Sequence, residues 1–451
     1  MTLKATYTLE IDWDGDGVFE VTEDCSDDLI AAYISRGFDG PLARVARVGT
    51  ASLTLRNAAQ SYSPPLDANV RPQRAVRLTM TYGGTDAVIY RGRIETISPT
   101  FGTQRERRVT FDCVDDQERL DRFEGPIALL ENTTADAIIA DAVAAVYTPD
   151  STAYQAGINR FPFASDRWEA GARTVVNGYW TDSSMPTARA SEKIMAACVS
   201  DWGRFFIAKD GKPTFSNRHQ MPLDTHTALT LDNTMVQMSY QMSATSVYNH
   251  ISVTCHPREV GQEYEVLARI SQGDAPAINA GETETFTLYF RDSSNSALSV
   301  GGKDVIAPVV GSDVIATDDV AGEGTDISAA ISVSLTIYGD RADVSLENTG
   351  GATAFIQTLQ LRGIAVRVRE PVTVVAQDAA SIAEYGRREL ALDALLMSGQ
   401  VEAQGLANHL LAYYKDPLHD VRGVAFFANT SAAFMAGARD LELCHRVVLT
   451  E

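Results

Sequence analysis

Residues 11–23, IDWDGDGVFEVTE, set Asp12, Asp14 and Asp16 at alternate positions, followed by Gly17 and then Glu23. That spacing fits the twelve-residue calcium loop D-x-[DN]-x-[DN]-G-x5-E at every required position. The carboxylates of Asp12, Asp14 and Asp16, the carbonyl of Val18, Glu20 directly or through water, and Glu23 together offer the roughly six or seven oxygens that Ca2+ takes. The flanks do not belong to an EF-hand. Leu3, Ala5, Tyr7, Leu9, Ile11 and Trp13 alternate with polar residues, which is the period of a half-buried strand. An EF-hand needs a helix entering its loop, so a calcium-driven opening of paired helices is not available here. Asp14-Gly15 and Asp16-Gly17 also suit a tight turn between two strands. The residues leave both readings open, an ion site and a plain acidic turn.

Other chemistry is sparse. The sequence holds no G-x-S-x-G, H-E-x-x-H, phosphate loop or G-x-G-x-x-G. His250 and His256 lie on one predicted strand about 20 Å apart at the usual rise, too far to share a metal. A structural role is expected for both, and core or interface packing for His409. Carboxylate pairs such as Asp27-Asp28, Asp115-Asp116 and Asp318-Asp319 are common in an acidic chain, and a glycosidase needs two carboxylates facing each other across a cleft. No enzyme is expected.

The chain has 451 residues, with 38 Lys plus Arg against 59 Asp plus Glu, a formal net charge of −21. Such a surface repels phosphate and disfavours general nucleic-acid binding. The five cysteines are far apart with no C-x-x-C pair, which argues against a disulfide framework or a zinc knuckle. No run of about eighteen apolar residues and no signal-like N-terminus occurs, so folding in a cytoplasm without a membrane anchor is expected.

The elements that must carry these residues are mostly strands. Residues 1–125 read as a barrel or sandwich, with Ala51, Leu53 and Leu55, then Val76, Leu78 and Met80, then Val109, Phe111 and Cys113 at period two. Residues 126–245 read as a small α+β unit. One helix follows Thr133 with Ala135, Ile138, Ile139, Ala142 and Val143 on its face and Pro149 as its stop. A second is expected from about Thr187 to Trp202, closed by Gly203. A hairpin around Asp210-Gly211 follows. Residues 246–279 read as a strand-rich connector and 280–365 as an inserted β-sandwich with a hairpin at Gly339-Asp340. For residues 366–451 the pattern predicts a helix over SIAEYGRRELALDALL and another over QVEAQGLANHLLAYYKD, the latter with Val401, Leu406, His409, Leu410 and Tyr413 on one face. The fold class is mainly β with α+β portions, in several domains, and the last one looks incomplete.

Taken in order, IDWDGDGVFEVTEDC, GTASLTLRNAAQSYSPPL, RPQRAVRLTM, VIYRGRIETISP, VTFDCVDDQERL, ASEKIMAACVSDWGRFFIAKDGKPTFSNRH, VYNHISVTCHPREVG, QDAASIAEYGRRELAL and GLANHLLAYYKDP resemble tail proteins of tailed bacteriophages, of the baseplate hub or tail-hub type. The resemblance covers most of the chain, and the order and spacing of degenerate motifs carry it. It implies two barrels related to the tail-tube fold joined by smaller α+β domains, with residues 1–125 as the first barrel and 366–451 as the start of a second. It implies a structural protein of the virion tail tip, assembled as a homotrimer that adapts a sixfold tube to a threefold tip. The implied partners are a distal tail protein ring, tip, spike or fibre proteins and the tape-measure protein. Genomic DNA would pass through without specific binding, and an acidic lumen would let it slide. A distal tail ring protein and a carbohydrate-binding receptor protein, with its site on the inserted sandwich, are the alternatives.

Overall fold

The computed structural model describes residues 3–64, 66–100, 107–125, 133–146, 174–175, 188–219, 227–232, 235–270 and 275–450. Its first unit is one six-stranded sheet: β1 (Thr6–Ile11), β2 (Leu29–Ser35), β3 (Thr50–Arg56), β4 (Ala75–Tyr82), β5 (Thr85–Thr100) and β6 (Arg108–Val114), in the spatial order β1-β4-β5-β6-β3-β2. All neighbours are antiparallel. The period-two residues point inward as their alternation requires: Leu9, Ile11, Leu53, Leu55, Val76, Leu78, Val109 and Phe111 form one core. The end strands β1 and β2 do not pair with each other. The segment leading into β2 meets β1 only through a single bridge between Glu10 and Asp24 and a bond from the Cys25 amide to the Leu9 carbonyl at 2.8 Å.

A helical layer follows. The helices α1 (Gln117–Arg122), α2 (Ala135–Val146) and α3 (Ala190–Asp201) share a core with the hairpin β7 (Arg204–Ile207) and β8 (Pro213–Ser216). The expected stop at Pro149 and start at Thr187 lie outside the described residues. At the end of α3 the left-handed position falls on Trp202 (φ 63°), not on Gly203. Gly203 serves another purpose: a Cβ there would lie 2.4 Å from the Phe215 ring, so the hairpin closes only over a bare backbone.

The remaining strands pair over long sequence distances. β9 (Thr227–Leu231) and β10 (Gln237–Met242) lie beside strands near the C-terminus, and β11 (His250–Cys255) is the centre of a three-stranded sheet. The sandwich sits between β11 and its antiparallel neighbour. It comprises β12 (Arg258–Arg269), β13 (Thr283–Tyr289), β14 (Gly301–Ile306), β15 (Val314–Thr317), β16 (Ile331–Ile337), β17 (Arg341–Asn348) and β18 (Ala354–Val368). One of its sheets is built around β18, with β12, β14 and β15, and the other is β13-β17-β16. The strand pairing therefore takes in residues 258–368, with β12 and the last three residues of β18 beyond the predicted span 280–365. The hairpin at Gly339-Asp340 is present as β16–β17.

Residues beyond 366 supply β19 (Val372–Gln377), α4 (Ala379–Tyr385), β20 (Glu389–Ala394), α5 (Gln400–Tyr414), β21 (His419–Ala425), α6 (Ala432–Asp440) and β22 (Arg446–Leu449). Each strand finds its partner inside the chain: β19 and β20 flank β11, β21 pairs with β10 and β22 with β9. The single helix expected over 381–396 is instead α4 followed by a strand. Gly386, at φ 74°, ends the helix, and Leu390 and Leu392 then alternate with Glu389 and Asp393 and pack on the α5 core. The buried face of α5 is Ala403, Leu406, Ala407, Leu410 and Tyr414, while Val401 is 77% and Tyr413 55% exposed. Small alanines, not the larger residues flanking them, let this helix lie against β11 and β19.

Candidate functional site

The Asp12–Glu23 loop is held at both ends. At its start the Asp12 amide donates to the Ala75 carbonyl at 3.0 Å, and the Trp13 ring packs on Tyr62 and Phe111, both at 5.9 Å between centroids. At its end Cys25 is buried in the same core. Gly15 (φ 81°) and Gly17 (φ 87°) turn the chain left-handed between these anchors, which side chains rarely allow.

The turn brings the carboxylates of Asp12, Asp14 and Asp16 together, with ligand oxygens within 4.8 Å of one another, a grouping that no other set of acidic, His or Cys residues matches among the described residues. Each also serves the turn. Asp12 accepts from the amides of Gly15 at 2.6 Å and Gly17 at 3.0 Å, Asp14 from Asp16 at 3.0 Å, and Asp16 from Val18 at 2.7 Å. Glu23 is buried beside this trio without joining its grouped oxygens, with one carboxylate oxygen on the Trp13 amide at 2.6 Å and the other on the Glu20 amide at 3.2 Å. Burial raises the Asp12 carboxyl above the ordinary range, and the nearby Glu23 and Asp14 add to that, against the Gly15 and Gly17 amides. Val18 and Glu20 are exposed on the outer side of the loop.

One participant is far away in sequence. The Arg74 guanidinium lies over the loop so closely that a Cβ on Gly15 would meet its Nη1 at 1.9 Å. Burial lowers the Arg74 pKa and Arg71 lowers it further, while Asp12, Asp14 and Glu23 oppose both. The loop thus carries its own counter-ion. No local pattern marks Arg74 for this, because only the β1–β4 pairing brings it there.

The histidines are not brought together. His250 is buried on β11 with Nδ1 4.0 Å from the Glu389 carboxylate, and His256, beyond the far end of that strand, is bound to Asp393. His409 sits edge-on to His219 at 5.4 Å, and burial, Arg218 and His219 all lower its pKa. Nearby, Arg44 stacks on Trp202 at 4.1 Å and ties the Pro41, Leu42 and Trp202 carbonyls together. Burial and the neighbouring Arg204 lower its pKa to about 10. This is a seam between the 38–45 segment, α3 and α5. Asp115 is buried, as is its neighbour Asp116, which pairs with Arg93 at 3.2 Å, so these acids face inward and not across a cleft.

No protein-family model matches the chain, and none of the curated proteins matches it either. Among solved structures the chain is similar to the 43 kDa tail protein of prophage MuSo2 from Shewanella oneidensis and to a tail protein from Neisseria meningitidis MC58. Each is 8% identical, with 55% of this chain and 64% of that chain covered and a TM-score of 0.35. A PdpA–VgrG complex is similar at 8% identity over 77% of this chain and 65% of that one, with a TM-score of 0.29. The chain therefore spans less than two thirds of each of these proteins. These neighbours are two tail proteins, one of them from a prophage, and a VgrG complex; likeness at this level does not assign the chain to a family.

Proposed function

We propose that this chain is a non-enzymatic structural component of a bacteriophage tail, a hub protein that adapts the sixfold tube to a threefold tip and lines part of the channel for genome ejection. The observation that carries this reading is how the resembling motifs fall on the fold. The segments up to VTFDCVDDQERL build one six-stranded sheet and the helix after it, ASEKIMAACVSDWGRFFIAKDGKPTF is α3 with its hairpin, and VYNHISVTC, QDAASIAEYG and GLANHLLAYY meet in one packed unit. Motifs scattered over four hundred residues thus form a continuous frame, with the sandwich set into it. In this role three copies would form a ring between a distal tail protein ring and tip, spike or fibre proteins, with the tape-measure protein and then DNA passing through. The net charge of −21 favours passage without binding.

The same reading gives the Asp12–Glu23 loop a stabilising role. Ca2+ there would be held by Asp12, Asp14 and Asp16, with the Val18 carbonyl, Glu20 and Glu23 completing the shell once Glu23 leaves its amides. The ion would take over from Arg74 the neutralising of packed carboxylates. Native mass spectrometry of the purified chain, with and without a chelator, tests both claims. The expected species is a trimer with about one calcium per chain. A hexamer would move the assignment to a distal tail ring, and a metal-free species at millimolar calcium would remove the ion.

A further inference from the structure

In a chain with a net charge of −21, one cavity gathers cations. It has a volume of about 190 Å3 and lies where the loop between β2 and β3, the β7–β8 hairpin and α5 meet. Arg44 comes from the loop, Arg204 from β7, Arg218 from just beyond β8, and His409 and Tyr413 from α5. Among the described residues that line it, none is acidic. Asp201, beside Trp202 in sequence, is buried and takes no part in the lining.

A guanidinium withdrawn from water needs an opposite charge as well as hydrogen-bond acceptors. Elsewhere in the chain it finds one: Arg93 pairs with Asp116, and Arg367 with Asp292 and Glu265. In this cavity Arg44 is 4% and Arg218 6% exposed. Arg44 donates to the Leu42, Trp202 and Pro41 carbonyls, and Arg218 to the Asp201 carbonyl and to His219 Nε2, both at 3.3 Å. Such dipoles occupy donors without cancelling charge. Arg204 donates to the Pro41 carbonyl at 3.1 Å, and its buried Nε has no acceptor. Neither Arg44 nor Arg204 forms an ion pair with a described residue. The cations act on one another instead: with burial, Arg204 lowers the pKa of Arg44, and Arg218 and His219 lower that of His409.

We propose that this cavity binds a small, multiply charged oxyanion of the phosphate class. Guanidinium groups match phosphate oxygens in geometry, and a dianion supplies the net negative charge that carbonyls lack. The acidic surface does not forbid it, because repulsion from distant carboxylates is screened beyond about 8 Å at physiological ionic strength, and the arginines are local. The cavity is too small for a duplex, so the general repulsion of nucleic acid stands. A bound anion joins four segments that are distant in sequence and so stabilises their packing. Every group comes from one chain, so the site does not depend on the ring reading above, and the two fail separately.

The test is thermal melting and isothermal titration of the full chain with inorganic phosphate or AMP, against chloride at equal ionic strength. Phosphate should raise the melting temperature saturably by about 2 °C or more, and chloride should not. AMP carries the same group on a nucleoside. Affinity for AMP tenfold or more above that for phosphate would assign the group to a nucleotide, its base stacked on the exposed Tyr413 ring, and equal affinities would assign it to free phosphate. Arg204→Gln should weaken binding tenfold or more. His409→Glu sets a carboxylate among the arginines, so it should melt at or above wild type without phosphate and lose the phosphate shift. Arg56→Gln, at an exposed arginine on β3, should change neither. A wild type that responds to phosphate no more than to chloride, or a folded Arg204→Gln or His409→Glu variant with the wild-type response, overturns the proposal.

Discussion

Asp115 lies just beyond β6 with its carboxyl inside the protein, 6% exposed, on the Gln117 amide at 3.1 Å. Burial pushes its pKa up to about 7, with Asp116 adding to that and the Gln117 and Gly49 amides and Arg36 opposing it. A carboxyl whose folded pKa is raised contributes stability that is whole below its unfolded value near 3.8 and is lost as pH rises through about 7. Urea unfolding of the wild type should therefore show stability falling between pH 4 and 7, with this group contributing a slope of up to about 1.4 kcal/mol per pH unit. Asp115→Asn should flatten that part of the profile and be at least as stable as wild type at pH 8. An unchanged slope in the variant would assign the loss to other groups. Neither the burial of Asp115 nor the placing of Arg74 over the calcium-type loop is legible locally, since both follow from strand pairing. The local spacing shows the turn that gathers Asp12, Asp14 and Asp16, while the Glu23 carboxylate is spent on the Trp13 and Glu20 amides.

Among the elements, alternation was readable wherever one face of a strand is buried. β1, β3, β4 and β6 stand where their period predicts, and so does the β16–β17 hairpin. Two elements of the C-terminal part were not readable in the same way. ELALDA has the composition of a helix, yet Gly386 breaks the chain before it and β11 captures it as a strand, a tertiary override of propensity. On α5 the expected face is right at Leu406 and Leu410, but Val401 and Tyr413 face solvent, and the packing surface is completed by Ala403 and Ala407, both fully buried. That surface has a measurable consequence. Ala407→Leu adds methylenes where the helix lies on the sheet and should cost about 1–3 kcal/mol. Ala412→Leu on the exposed side of the same helix should stay within about 0.5 kcal/mol. Equal unfolding midpoints for the two variants would contradict the assigned face.

For the whole molecule, the decisive feature is where the sandwich enters and leaves. β11 and β19 pair antiparallel as far as Cys255 opposite Val372, the Arg369 amide then donates to the Pro257 carbonyl at 2.8 Å, and β12 and β18 pair from Arg258 opposite Val368. One two-stranded ribbon thus runs from the frame into the insert, interrupted around Pro257 and Pro371, which lack the amide a ladder needs, and shifting register again after Val260 and after Val266. The core of the insert draws on residues 267–365 and shares none with the cores on either side. Its size is that of an ordinary independent domain, and its chain ends already lie side by side, so closing the frame without it costs little loop entropy. Replacing residues 258–368 with a short Gly-containing turn should leave a frame that folds and keeps the oligomeric state of the full chain. The excised segment, expressed alone, should melt in one cooperative transition. Calorimetry of the full chain should then resolve two transitions, one matching each piece. A single transition in the full chain, with neither piece folding alone, would mean that frame and sandwich form one cooperative unit despite their separate cores.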